Sequence, residues 1–245
     1  MWFYKTVKYS GKVVGKYTIE SPIGEGRFGL CFLARSDMGK KVIIKKFKPS
    51  LFRRNLDKNV YEAVILSKLK DKRIPELLGV INEKGFYGFV LEFKEGFTVK
   101  ELLFKHNHIF TREEFFNIGI QLISIISYLH ENGVVHRDIR IPNVVINDSK
   151  VYLLDFGLAR WADNNNYPYD LDFSFLGDFF LYLLYSSYEP KEKRKNLPWY
   201  KELLLTSEQK LFLKKLLGLE LKYENIKDIE ADFIKAYLSY KGTAE

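Results

Sequence analysis

The sequence predicts an α+β protein whose first part is β-rich and whose second part is mostly helical. Two observations carry that prediction. Runs rich in β-branched and aromatic residues, YTIESPIG (17–24), LCFLAR (30–35) and KVIIKKF (41–47), are parted by glycine-rich or polar turns such as SDMGK. After Gly96 the punctuation changes to helix starts. Thr98-x-x-Glu101, Thr111-x-x-Glu114 and Thr206-x-x-Gln209 each set a hydroxyl three residues before a side chain that completes a capping box. The change marks a boundary near residues 93–96. We read residues 1–245 as one domain, a β-rich lobe over 1–93 and an abbreviated helical lobe over 94–245.

In the first lobe a helix over 55–70 follows the third strand, with Val60, Ala63, Val64, Leu66 and Leu69 as its apolar side. ELLGVIN (76–82) and YGFVLEF (87–93) supply two further strands. In the second lobe the helix over 112–131 is apolar nearly all round, through Phe115, Ile118, Ile120, Leu122, Ile125 and Leu129, which predicts burial. Asn132-Gly133 is its stop signal. NVVIN and KVYLLDF read as short strands, and 172–186 and 207–218 as helices. The aromatic run FFLYLLYSSY (179–188) belongs to the core.

With 245 residues, 47% of them hydrophobic, the chain can bury a substantial core. A single cysteine, Cys31, excludes an internal disulfide and suits a reducing, cytoplasmic compartment. The opening MWFYKTVKYSGK lacks the apolar core of a secretory signal. The most apolar stretches are 115–129 and 171–188. The first is too short for a membrane span, and Asp172 and Asp178 interrupt the second. A net charge of +8 raises the question of nucleic acid, but lysine is spread along the chain and the one dense run is Lys191–Lys195. We therefore read a solvated basic face; a nucleic-acid partner, which net charge alone leaves open, is not expected.

Four short motifs carry chemistry. IGEGRFGLC (23–31) sets Gly24, Gly26 and Gly29 between two strands, where backbone amides can approach a polyphosphate without Cβ obstruction. By itself the pattern serves a flexible hairpin equally well. A strand, not a helix, follows it, which argues against a dinucleotide fingerprint. Lys45 lies in the apolar strand VIIKKF, and Glu62 follows seventeen positions later on a helix. Alone these are a snorkelling lysine and a surface acid, and together they can form an oriented pair. VHRDIRIPNVVI (135–146) sets Asp138 five residues before Asn143, and LLDFGLAR (153–160) ends an apolar strand on Asp155-Phe156-Gly157. A carboxylate at Asp155 with the neutral oxygen of Asn143 suits Mg²⁺, a hard cation that takes one or two protein oxygens beside phosphate oxygens. His106 and His108 share a polar turn whose spacing points to no metal, and His130 at a helix end fits a buried contact with Asp172.

GEGRFG, VIIK, Glu62, HRDIRIPN and DFG stand in the order and near the spacing of the protein-kinase signature set, and over nearly its whole length the chain resembles a small soluble eukaryotic-like (Hanks-type) protein kinase of the bacterial sort. The resemblance implies a bilobal fold and transfer of the γ-phosphoryl of Mg-ATP to a protein hydroxyl, serine or threonine, with Mn²⁺ able to stand for Mg²⁺. It implies that the glycine loop, with Phe28 at its tip, covers the phosphates of ATP. Lys45 would meet the α/β-phosphates and be held by Glu62. Asp138 would be the catalytic base, Arg140 would stabilise the transferring phosphate, and Asn143 and Asp155 would hold the metal. Ile23, Cys31, Ile43, Leu91, Glu92, Phe93 and Val145 would surround the nucleotide base. His136, Phe156 and Leu66 would form an internal apolar column, and Asp172 would brace the loop at 136–143.

Four departures qualify these implications. Only fourteen residues, LARWADNNNYPYDL, separate Gly157 from Asp172, with no serine, threonine or APE-like end, so serine/threonine phosphorylation there is not expected; Tyr167 and Tyr169 remain. Ile43 and Cys31 replace the usual small alanine and valine, and overpacking by roughly 1–3 kcal/mol would weaken ATP without abolishing it. Arg140 replaces a lysine, the pattern of some tyrosine kinases, which leaves the acceptor residue open. The end of the helical lobe is short. A pseudokinase scaffold and a small-molecule phosphotransferase of related fold are the alternatives.

Overall fold

A computed structural model describes residues 8–25, 29–47, 56–83, 85–163, 165–189 and 197–238, with side chains of the first helix from Tyr61 onward. Contacts divide the chain into two compact units, Met1–Lys94 and Glu95–Glu245.

The first unit is an antiparallel sheet of β1 (Val13–Val14), β2 (Tyr17–Glu25), β3 (Gly29–Ser36), β4 (Lys41–Phe47), β5 (Leu77–Glu83) and β6 (Phe86–Glu92), in the order β1-β2-β3-β4-β6-β5. Two-residue alternation gives the sheet two faces. Val14, Tyr17, Ile19, Phe32, Ala34, Val42, Ile44, Ile81, Phe86 and Val90 close one face into a core, with Tyr9, Leu30 and Leu78 packed against it. Lys46 lies at the end of that face and is buried, its ammonium 5.6 Å from the Tyr9 ring and 5.3 Å from the Phe86 ring. The opposite face carries Cys31, Ile43, Lys45, Phe89 and Leu91, because Ile43 pairs with Leu91, Lys45 with Phe89, and Cys31 with Lys45.

Helix α1 (Leu56–Lys68) falls inside the predicted 55–70, and its buried side keeps the predicted Leu66 and Leu69 but not Val64. Val64 is exposed, and Ile65, Leu66 and Leu69 are buried together with Glu62. The spacing 62, 65/66, 69 is one helical stripe headed by an acid. Counting only apolar residues hid that stripe, because the sequence offers Val64 equally well. Val60 lies outside the described side chains.

The second unit is built on α3 (Arg112–Glu131), preceded by β7 (Phe97–Thr98) and α2 (Val99–Phe104). Thr98 and Thr111 cap α2 and α3 through full capping boxes. Phe115, Ile118, Leu122, Ile123, Ile125, Ile126 and Leu129 of α3 are buried. Against α3 pack α4 (Leu171–Tyr185) and α7 (Ile226–Leu238); α5 (Trp199–Glu202) and the Thr206-capped α6 (Ser207–Leu216) lie between these two in sequence. A Cβ on Gly119 would overlap the Phe233 ring, so α3 and α7 meet at a point only glycine allows. Phe179 and Phe180 are buried, placing that part of the aromatic run in the core.

Two small pairings set the turns that carry Asp138, Asn143 and Asp155. β8 (Val134–Val135) pairs with β11 (Arg160–Trp161), and β9 (Val144–Asn147) with β10 (Lys150–Leu153), β7 adding to β9. The turns 136–143 and 154–159 lie between these pairings, so both their ends are registered and they run side by side. Leu154 N donates to Asn143 O at 2.7 Å and confirms that register. The strand before Asp155 stops at Leu153, earlier than the sequence predicts. Asp155 has φ 62°, a left-handed backbone that cannot continue an extended ladder, and it caps a short 3₁₀ turn at Phe156–Leu158.

Candidate active site

The predicted site residues fall into two groups, one in each unit. In the first, Lys45 Nζ and Glu62 Oε1 are 2.5 Å apart, with side-chain exposures of 18% and 7%. β4 presents the lysine on the less closed face of the sheet, and the buried stripe of α1 presents the acid. Cys31 and Ile43 are half-buried and Leu91 is buried on that same face, while Ile23 on β2 is exposed. Glu92 takes an ion pair with Lys94 at 2.8 Å, and Phe93 is half-buried under the Lys41 ammonium at 5.4 Å. Among the described residues Gly24 has open space where a Cβ would stand, so their packing does not demand a glycine there. Gly29 differs: a Cβ would strike the Lys46 carbonyl, so its glycine is needed by the β3–β4 approach itself. Gly26 and Phe28 lie outside the described residues.

In the second unit, the turn 136–143 converges on one carboxylate. Asp138 is buried; its Oδ2 accepts from Asn143 Nδ2 at 2.8 Å and Arg140 Nη2 at 2.9 Å, and its Oδ1 lies 2.5 Å from Arg140 Nε. Asn143 also donates to Asp138 O at 2.9 Å. Both bonds use the amide nitrogen of Asn143, leaving its carbonyl oxygen as the atom available to a cation. A neutral oxygen at Asn143 and a carboxylate at Asp155 are the kinds of oxygen that a divalent cation such as Mg²⁺ takes beside phosphate oxygens. Asp155 Oδ1 accepts a long bond from Gly157 N at 3.3 Å. Val145 is buried in β9.

Behind these groups Asp172, fully buried at the start of α4, holds the turn in place. Its Oδ1 accepts from Arg137 N at 2.7 Å, and its Oδ2 from His136 N at 2.9 Å and His130 Nε2 at 3.0 Å. His136 stacks edge-on against Phe156 with ring centres 4.8 Å apart. Its Nε2 donates to Leu154 O at 3.1 Å and its Nδ1 accepts from Asp138 N at 3.2 Å, which fixes a neutral tautomer. Burial holds the His136 imidazolium well below its ordinary range, against the pull of Asp172, Asp155 and Asp138.

Sequence reasoning missed the partners of Arg137, whose guanidinium donates to Leu158 O at 3.1 Å and lies 4.6 Å from the Tyr167 ring. The HRD triplet marks the residue, but nothing local marks its partner thirty positions on. His108 bonds Glu114 at 2.9 Å and His106 meets the Phe97 ring edge-on. A cavity of about 750 Å³ elsewhere in the second unit is lined by Phe110, Leu183, Leu203 and Tyr237 and by none of the predicted site residues.

Residues 17–176 match the family model of the protein kinase domain. A probable serine/threonine-protein kinase, YbdM, of Bacillus subtilis is 36% identical over 237 residues, covering 91% of this chain and 90% of its own. A calcium/calmodulin-dependent protein kinase type 1 of Caenorhabditis briggsae is 29% identical, covering 61% of this chain but 43% of its own. A PAS domain-containing serine/threonine-protein kinase of Mus musculus is 31% identical over 63% of this chain and 12% of its own. A match across well over half of the chain, with a relative aligned nearly end to end, places it: the chain belongs to the protein kinases, enzymes that move the γ-phosphoryl of ATP to a protein hydroxyl.

Proposed function

We propose that the chain phosphorylates serine or threonine on a protein acceptor, with Asp138 taking or orienting the hydroxyl proton. The observation that carries this is the setting of Asp138: a buried carboxylate gripped by Asn143 and Arg140, on a turn pinned from behind by Asp172. Such a group is held in place before substrate arrives, and positioning is the main contribution a protein makes to phosphoryl transfer. Arg140 is half-exposed, so its guanidinium can follow charge from Asp138 to the transferring phosphoryl. The serine/threonine preference is supported by the names of the relatives.

Lys45 neutralises phosphate charge, and Glu62 orients it. A shielded ion pair of this kind returns little net stability, so its place on the half-open face of the sheet is better explained by use. Asn143 and Asp155 hold a divalent cation, Mg²⁺ or Mn²⁺; when bound, it would neutralise phosphate oxygens. Gly24, Gly26, Phe28 and Gly29 cover the phosphates. Gly24 supports this most directly, because its missing side chain serves no contact with a described residue. Ile23, Cys31, Ile43, Leu91, Glu92 and Phe93 receive the base. We further infer a single kinase domain acting in the cytoplasm, a reading supported by the lone cysteine. Among the described residues no helix is long and apolar enough to cross a membrane.

Intact-mass measurement after incubation with Mg-ATP and dephosphorylated casein tests the reading. The wild type should add phosphate at serine or threonine. Asp138→Asn and Lys45→Met should each slow transfer by roughly 10²–10⁴-fold while still unfolding in one cooperative transition. Equal transfer in either variant, or none in the wild type, overturns the assignment, and phosphotyrosine alone overturns the acceptor.

A further inference from the structure

The fourteen residues between Gly157 and Asp172 contain no serine or threonine, yet the described ones are tied down from end to end. Arg160 and Trp161 are paired to β8, and Ala162 N donates to Gly133 O at 2.7 Å. Asp163 and Tyr167 exchange backbone bonds of 3.1 and 3.3 Å, closing a turn. The Asp163 carboxylate caps that turn by accepting from Asn165 N at 2.8 Å and Asn166 N at 2.5 Å.

The closed turn sets one tyrosine ring against the 136–143 loop and a second against the end of α3. Tyr167 lies 4.6 Å from the Arg137 guanidinium, and Tyr169 lies 4.6 Å from the His130 ring. Arg137 and His130 are two of the residues that donate to the buried Asp172 carboxylate. Among the described residues no carboxylate comes within ion-pair distance of Arg137. Its charge is met by the Leu158 carbonyl and the π-face of Tyr167, and arginine over an aromatic face is a favourable pairing.

We propose that Tyr167 is a positioning residue, backed by Tyr169: its ring on Arg137 fixes the 158–171 segment against the catalytic loop without any phosphate. The acceptor surface is therefore set in the unmodified chain, and the enzyme works as synthesised. This rests on the kinase reading above and adds its mode of regulation. The contact uses the ring face, and the hydroxyl of Tyr167 makes no hydrogen bond to a described residue, so phenylalanine should serve equally well.

Hydrogen exchange over residues 160–171 in the full chain, with kinetics on dephosphorylated casein, tests this in wild type, Tyr167→Phe and Tyr167→Leu. Tyr167→Leu should raise exchange about two- to thirtyfold, the opening that loss of one cation–π contact allows. It should raise the KM for casein by a similar factor while leaving the KM for ATP unchanged. Tyr167→Phe should match wild type in both. Wild type treated with phosphatase, and shown by mass to carry no phosphate on Tyr167, should keep full activity. Unchanged exchange in the leucine variant, failure of the phenylalanine variant, or loss of activity on phosphatase treatment each overturns the proposal. A wild type that transfers nothing defeats the kinase reading instead, and the exchange comparison then decides the latch alone.

Discussion

Arg137 and Asp155 both carry left-handed backbone, with φ of 66° and 62°. For a side chain other than glycine that conformation costs about 1–2 kcal/mol per residue. At Arg137 the return is visible: the turn points the amides of His136 and Arg137 at the same Asp172 carboxylate. His136 adds a pH dependence. Its folded form stays neutral where the unfolded chain takes a proton near the ordinary value of 6.5. The unfolded state therefore binds more protons below that value, and stability falls as pH drops. The loss is up to about 1.4 kcal/mol per pH unit until His136 itself protonates. Urea unfolding at steps from about pH 7 to 5 should show this slope, and His136→Phe should flatten it. An unchanged slope in the variant would assign the effect to another group.

Elements whose signals are local were readable in advance. Thr98, Thr111 and Thr206 announce helix starts, and each forms the capping box its spacing predicts. Lys45, Asp138, Asn143 and Asp155 came forward as candidates for the same reason, because each sits in a short contiguous run, whereas Glu62 came forward only by its spacing from Lys45. What was not readable depends on distant partners. Val134–Val135 and Arg160–Trp161 are strands only because they meet each other, and two residues carry no periodicity. The buried side of α1 turned on whether an acid could be part of a buried stripe, which requires Lys45 opposite it. Helix α7 was overlooked although Ile226, Ile229, Phe233 and Ala236 form a spaced apolar face. Its packing gives an element-scale prediction. Gly119→Val should force the Phe233 ring aside and destabilise the protein by roughly 1–3 kcal/mol, read as a lower urea midpoint; an unchanged midpoint would mean α3 and α7 separate freely.

At the scale of the molecule, ligand and fold are linked by mass action. Mg-ATP at a hundred times its Kd should add about 2.7 kcal/mol, and so raise the melting midpoint by roughly 5–10 °C. Cys31, half-buried on the Lys45 face, reports the same occupancy chemically. Mg-ATP should slow its alkylation, and equal rates with and without nucleotide would remove it from the proposed nucleotide surface.

The Asp172 carboxylate has a consequence for how the second unit comes apart. Helix α3 through His130, the turn through His136 and Arg137, and α4 through Asp172 itself all meet at that fully buried group. Withdrawing the turn alone would take two of the three hydrogen bonds from that buried carboxylate and leave it to His130, at about 1.5–3 kcal/mol for each bond lost. The turn 136–143 therefore has no inexpensive excursion of its own, unlike most loops. It opens when the helices around it open, so on heating, the chemistry and the helical core are lost as one cooperative event.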